Sequence, residues 1–226
     1  INNYLSKFFP AGFYYKTFKW PKSFWHKVYE PFIRKIAGFG IASLKKDKER
    51  YEHKYEYCDL LVTGSGPAGL SSAYAAAKNG AKVILAEDKP RFGGSLLTDD
   101  VTIDNLSGKA WTDKIITQLK EMPNVIVKNR SQVFGYYDHN MTVMFERTGD
   151  HLKDKPKYTP RQRLWYIRAK EVLLSTGSIE RPIIFGNNDT PGIFLSAAAK
   201  EYIKVYGVLV GKKPLIFTNN DSAYET

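Results

Sequence analysis

One cysteine, Cys58, stands in a chain of 226 residues. That excludes an intrachain disulfide framework and a Cys-x-x-Cys dithiol of the thioredoxin-reductase kind. Histidine is scarce too. His26, His53, His139 and His151 have no zinc or iron–sulfur spacing with one another or with Cys58, so no metal site is expected. No nucleophile–base pair is recognisable either, and no catalytic residue is assigned. No apolar run reaches the roughly 18 residues of a membrane span, and the start lacks the basic segment, apolar stretch and cleavage site of a secretory signal. A cytoplasmic protein without a membrane partner is the expectation. The chain opens at Ile1 without a Met and stops at Thr226 just after a strand-like stretch, so it reads as a piece of something longer.

Acidic residues are in deficit, 23 against 34 Lys and Arg, for a net charge of +11. The excess is local: residues 1–57 hold 12 Lys/Arg and 5 Asp/Glu. The same stretch is dense in rings, among them Phe13, Tyr14, Phe18, Trp20 and Trp25. Rings with basic residues can stack single-stranded nucleic acid. No nucleic-acid module pattern accompanies them. The reading adopted is a docking arm over 1–56 that packs its rings on a neighbouring surface while its lysines reach water, with no nucleic-acid partner. Within it, Phe24, Val28, Tyr29, Phe32 and Ile33 recur at three-and-four spacing, which predicts a helix over 23–37 with Pro31 as a possible kink. The charged run 45–54 reads as a linker.

Cys58–Thr63 is a short apolar run of the kind buried on both faces of a parallel sheet. Pro67–Asn79 follows as a helix whose alanines allow close packing and whose end is marked by Gly80. Lys82–Ala86 is a second strand, completing a βαβ unit. Between strand and helix lies Gly64-Ser65-Gly66-Pro67-Ala68-Gly69, a GxGxxG turn in the position that gives the pattern its meaning. Gly64 permits the tight turn, Gly66 lets backbone approach a pyrophosphate, and Gly69 lets helix and strand pack closely. The helix N-terminus offers N–H donors to the phosphates. Glu87, 18 residues past Gly69 at the end of the second strand, is placed to accept hydrogen bonds from an adenosine ribose and to disfavour a 2′-phosphate.

Gly93-Gly94-Ser95-Leu96 follow closely and can bring a second loop against the diphosphate. Thr176-Gly177 close a buried strand at 172–175. With Asp88 and Val133 these complete the residues expected to line the dinucleotide. Further along, a helix is expected over 113–122, strands over 125–127, 132–137, 141–147, 163–167 and 171–175, a polar loop over 151–161, a helix over 196–206 and a strand over 214–218. The turn after Phe217, Thr218-Asn219-Asn220-Asp221-Ser222, has no glycine where a phosphate loop needs one. Three regions result: the arm 1–56, a dinucleotide-binding domain 57–211 with a β insertion at about 130–170, and 212–226 as the start of a second, truncated nucleotide-binding-like domain.

Blocks outside the glycine turn carry a more specific signal. Ala11–Phe18, Cys58–Leu97, Val133–Asn140, Pro160–Trp165, Glu180–Asp189 and Phe217–Tyr224 resemble the alpha subunit of heterotetrameric sarcosine oxidases over nearly the whole chain. The resemblance implies an α/β fold: a glutathione-reductase-like, FAD/NAD(P)-binding Rossmann-type parallel sheet with inserted β-strands, preceded by the aromatic arm. It implies NAD in this subunit, with FAD and covalent FMN in the beta subunit, and gamma and delta subunits as further partners. The activity implied is oxidation of the sarcosine methyl group to give glycine and hydrogen peroxide, the one-carbon unit passing to tetrahydrofolate or leaving as formaldehyde. The residues themselves do not separate NAD from FAD, since both present an ADP moiety to the same turn and acid. An FAD-carrying alpha subunit of a proline or opine dehydrogenase is the alternative.

Overall fold

The computed structural model describes residues 18, 20–38, 40 and 42–226. The block 11–18 cited above therefore lies almost wholly outside the described residues. The chain divides into two compact units, Ile1–Lys48 and Glu49–Thr226.

In the first unit, a π-helical stretch Trp25–Tyr29 runs into the helix α1, Glu30–Ile36. Pro31 is the second residue of α1 and, lacking an N–H, cannot extend the wide ladder in which Glu30 N–H donates to the Trp25 carbonyl. The winding changes from wide to normal at this point. Phe24, Val28, Phe32 and Ile36 are exposed on this segment.

In the second unit the first strand is longer than its apolar run. β1 spans Tyr51–Thr63, and its first half pairs with residues 162–168 while its apolar second half is buried among neighbours. Residues 51–54, expected to be linker, are thus strand, and the division between units falls after Lys48 rather than after residue 56. The helix α2, Pro67–Lys78, crosses to β2, Val83–Ala86, which pairs parallel with β1. A two-residue hairpin, β3 Thr102–Ile103 with β4 Leu106–Ser107, then precedes α3, Gly108–Glu121. The Ser107 hydroxyl accepts from the Ala110 N–H and caps α3, which starts it five residues earlier than its apolar periodicity suggests.

β5 (Val125–Lys128), β6 (Ser131–Tyr137), β7 (Met141–Glu146) and β8 (Gln162–Leu174) follow. One sheet results, in the order β5-β2-β1-β8-β7-β6. Its first four strands are parallel, and the β7–β8 and β6–β7 pairs are antiparallel. β8 is one continuous strand where two were expected, because β1 offers it a partner along its whole length. The last helix, α4, spans Ser196–Tyr206. Residues 214–218 form no strand, which corrects that expectation.

Two cores flank the sheet. Val62, Leu70, Ala73, Val83, Leu85, Trp111 and Leu119 pack the side of α2 and α3. Cys58, Leu61, Ile84, Met144, Trp165 and Ile167 pack the side of the antiparallel strands. In this second core Glu146 is buried, yet its oxygens accept from Lys128 Nζ at 3.0 Å, Arg163 Nη1 at 3.0 Å and Trp165 Nε1 at 2.6 Å. A buried carboxylate survives only with that degree of compensation. Here the contacts tie β5, β7 and β8 together and bring the start of β6 to the end of β2, where Ser131 N–H donates to the Glu87 carbonyl at 2.7 Å.

Candidate dinucleotide-binding site

The turn after β1 is built around two close approaches. Gly64 has φ +99°, and a Cβ there would stand 2.3 Å from the Ser175 carbonyl oxygen. A Cβ on Gly69 would lie 2.0 Å from the Gly64 carbonyl oxygen and 2.7 Å from Ser175 Oγ. Only glycine fits either position. Gly66 is different: nothing lies within 4 Å of the Cβ it lacks. Its freedom is required by no protein neighbour, which is what a backbone left open to a ligand looks like. Pro67 and Ala68 are exposed just beyond it, and the first-turn amides of Ala68 and Gly69 have no acceptor inside the helix.

Glu87, nearly buried at 7% exposure, stands against this turn. Its Oε2 accepts from Ser65 N–H at 2.9 Å and from Ser65 Oγ at 2.5 Å, and its Oε1 accepts from Lys89 N–H at 3.0 Å. A carboxylate has about four acceptor positions, so capacity for one more donor remains on Oε1. Ser65 is fully buried, and its hydroxyl also accepts from Gly93 N–H at 3.2 Å. Its side chain therefore faces inward, joining the turn, the acid and the next loop.

That loop lies on the open side. A Cβ on Gly94 would meet Gly66 Cα at 3.0 Å, so the Gly93–Gly94 backbone stands beside the one glycine of the turn with free space at its Cβ position. Gly94 and Ser95 are exposed, whereas Leu96 is buried in the core beneath α2 and α3 and anchors the loop. Asp88, Thr176 and Gly177 are exposed at the same ends of the strands, and Val133 packs half-buried against the second core. The turn, Glu87 and the Gly93–Gly94 loop are brought into contact; for Asp88, Val133, Thr176 and Gly177 only placement near these strand ends follows.

Two contributors were not singled out from the sequence. Ser175 Oγ donates to the carbonyls of Thr63 at 2.9 Å and Gly64 at 3.0 Å, clamping the turn from β8. A small residue ahead of Thr176-Gly177 was the available signal. Thr63 Oγ1 is the buried side-chain atom left without a hydrogen-bond partner among the described residues. It sits one residue before Gly64, and orphaned groups of this kind mark places where a ligand or water completes the structure. Cys58, at the far end of the apolar run, is buried, and burial pushes its thiol up to about 12. Among the described residues no group of three or more His, Cys, Asp or Glu could hold a metal, and no helix is long and apolar enough to cross a membrane.

Residues 59–146 match the family model described as FAD dependent oxidoreductase. The sarcosine oxidase subunit alpha of Rhizobium meliloti (strain 1021) is 46% identical over 224 residues, 99% of this chain and 23% of that protein. The sarcosine oxidase subunit alpha of Corynebacterium sp. (strain P-1) is 40% identical over 192 residues, 84% of this chain and 20% of that protein. The chain thus spans between a fifth and a quarter of the length of these relatives. The crystal structure of L-proline dehydrogenase from P. horikoshii superimposes with a TM-score of 0.56 at 24% identity, over 74% of this chain and 32% of that one, and shares the fold.

Proposed function

We propose that this chain, a homologue of the sarcosine oxidase alpha subunits across 99% of its length, is the dinucleotide-holding part of such a subunit and holds NAD. The observation that carries the reading is Gly66, a glycine with no protein neighbour to require it, set between a helix N-terminus, Glu87 and the Gly93–Gly94 loop. In this site the first-turn amides of α2 meet the pyrophosphate. Glu87 Oε1 would accept from a ribose hydroxyl, and the exposed, side-chain-free backbone at Gly94 would border the diphosphate beside Gly66. Asp88, Ser95, Val133, Thr176 and Gly177 border the adenosine and diphosphate.

The parent protein is an oxidoreductase acting on a CH–NH donor. In the assembly proposed, a flavin of the beta subunit would supply the two-electron oxidation of the sarcosine methyl C–N bond, the amine giving up two electrons and two protons to become an imine. Water would release the one-carbon unit of that imine as formaldehyde, or tetrahydrofolate would take it, leaving glycine, and O2 would take the two electrons and two protons to give hydrogen peroxide. This chain contributes binding and, through its arm, docking to beta, gamma and delta subunits in the cytoplasm. A second reading, FAD in place of NAD, is favoured by the match of residues 59–146 to a family of FAD-dependent oxidoreductases. The turn and acid serve the ADP half of either cofactor alike.

The test is extraction of cofactor from the intact protein, with and without Gly66→Val. Val should leave the fold intact, since nothing lies within 4 Å of the Cβ it adds, and should abolish retention of the dinucleotide held here. A nicotinamide lost from the variant alone supports NAD. Loss of a visible-absorbing flavin from the variant alone moves the assignment to FAD, and full retention of every cofactor overturns the site.

A further inference from the structure

The loop that faces Gly66 is held on its outer side by α4, in which one residue is buried and Tyr202 packs edge-on against Phe194 at 5.8 Å. Ala199 is the buried residue of α4, while Tyr202, Ile203 and Tyr206 are exposed. What ties α4 down is charge. Glu201 takes both its oxygens to Lys89 Nζ at 3.0 Å, and the Val205 carbonyl accepts from Arg91 Nη1 at 3.0 Å. Lys200 Nζ reaches Asp99 at 3.3 Å, and Lys204 Nζ reaches both oxygens of Asp100 at 2.9 Å. Lys89 and Arg91 precede Gly93–Gly94, and Asp99 and Asp100 follow them, so one face of α4 grips both flanks of the loop. The helix is itself seated by Glu180, which accepts from Ala197 N–H at 2.9 Å and from Ser196 Oγ. On the inner side the same loop is held by Gly93 N–H donating to Ser65.

We propose that α4 is an electrostatic strap that keeps the Gly93–Gly94 loop closed over the pyrophosphate position and sets how long a dinucleotide stays bound. The proposal rests on the dinucleotide reading of the glycine turn. Each pair alone is partly exposed and weak, and salt screens it. Together they fix both ends of a segment whose middle is held by Gly93 N–H on Ser65 and by the buried side chain of Leu96. Slow cofactor loss at low salt and faster loss at high salt follow. Raised salt, however, also weakens attraction of the pyrophosphate itself, so the discriminating experiment reverses single charges.

Lys89→Glu and Glu201→Lys change the local charge in opposite senses but break the same contact. The strap requires both single variants to release ADP-ribose faster than wild type, by about two- to fivefold, and the double variant to return close to the wild-type rate. A purely long-range effect would speed release in Lys89→Glu and slow it in Glu201→Lys, and that pattern overturns the proposal. Release is followed on the intact protein with its natural partners, using ADP-ribose because it carries the pyrophosphate and ribose of the expected ligand. Amide hydrogen exchange across 93–97, read by mass spectrometry without ligand, judges the strap separately. It should quicken in each single variant and recover in the double. If wild type does not bind ADP-ribose, the dinucleotide reading fails and the residence-time claim with it, while exchange still reports on the strap. Unchanged exchange overturns the strap itself, and changed exchange with unchanged release shows that the loop does not govern residence.

Discussion

Residues 58–69 and 212–223 pose the same local problem, an apolar run that must turn sharply at its end, and they meet it with different chemistry. In the first, Leu61 and Val62 are fully buried and the turn is made by glycines pressed against Ser175 and against each other. In the second, Leu215 and Phe217 are 95% and 65% exposed, and the turn is closed by side chains. Thr218 Oγ1 donates to the Asn220 carbonyl at 2.8 Å, and Asn220 Oδ1 accepts from Ser222 N–H at 3.0 Å and Ser222 Oγ at 2.5 Å. A glycine turn leaves space and amides to the outside. An Asn/Ser/Thr turn spends its polar groups on itself, so only the first is ready for a phosphate.

The sharpest way to break that contrast is at Gly69. Gly69→Ala puts a methyl 2.0 Å from a backbone oxygen that cannot rotate away. Overpacking of this kind should cost about 3 kcal/mol or more, read as a lowered denaturation midpoint. A midpoint equal to wild type would show that the helix and strand are less tightly opposed than the geometry states. The burial of the first run is tested by chemistry on its lone thiol. With Cys58 pushed up to about 12 by burial, its thiolate population at pH 8 is on the order of one in ten thousand. Iodoacetamide should leave it unmodified in the native protein at pH 8 and label it after denaturation. Rapid native labelling would mean that β1 opens.

The same contrast explains what could be read ahead of the structure. Gly64, Gly66, Gly69 and Glu87 lie within one βαβ unit and follow a spacing with a mechanism, so the tight turn and the acid beside it are legible in the sequence. The first half of β1 was not. Glu52, Lys54 and Glu56 give it the charge pattern of a linker, and its strand character comes from pairing with residues more than 100 positions away. The break expected between 167 and 171 reflected charges at Arg168 and Lys170, whose side chains are exposed while their backbone stays in the ladder. Conversely 214–218 has a strand's composition but no strand, since neither neighbour nor sheet edge receives it. The inward role of Ser65, the Ser175 clamp and the grip of α4 on 89–100 depend on contacts that no local window contains.

Ser65 gives the next smaller effect. Ser65→Ala removes the 2.5 Å bond to Glu87 and one acceptor of Gly93 N–H, leaving a nearly buried carboxylate with one donor fewer on Oε2. Hydrogen bonds to charged groups are worth about 1.5–3 kcal/mol, so stability should fall by that order and dinucleotide affinity with it. Equal stability in the variant would mean that the Ser65 N–H and Lys89 N–H suffice to hold Glu87.

The smallest change belongs to the second turn. Asn220 precedes a short 3-10 turn at 221–225 and caps it through Ser222 N–H. Asn220→Ala should cost about 1 kcal/mol or less, the usual value of an exposed cap. More tellingly, it should leave dinucleotide retention untouched, because the groups it frees point into a turn without the glycine that close phosphate approach requires. The decisive measurement is cofactor content of the purified variant beside that of Gly66→Val. If Asn220→Ala also emptied the protein of dinucleotide, the two turns would belong to one site, and the division between an open glycine turn and a self-closed one would no longer hold.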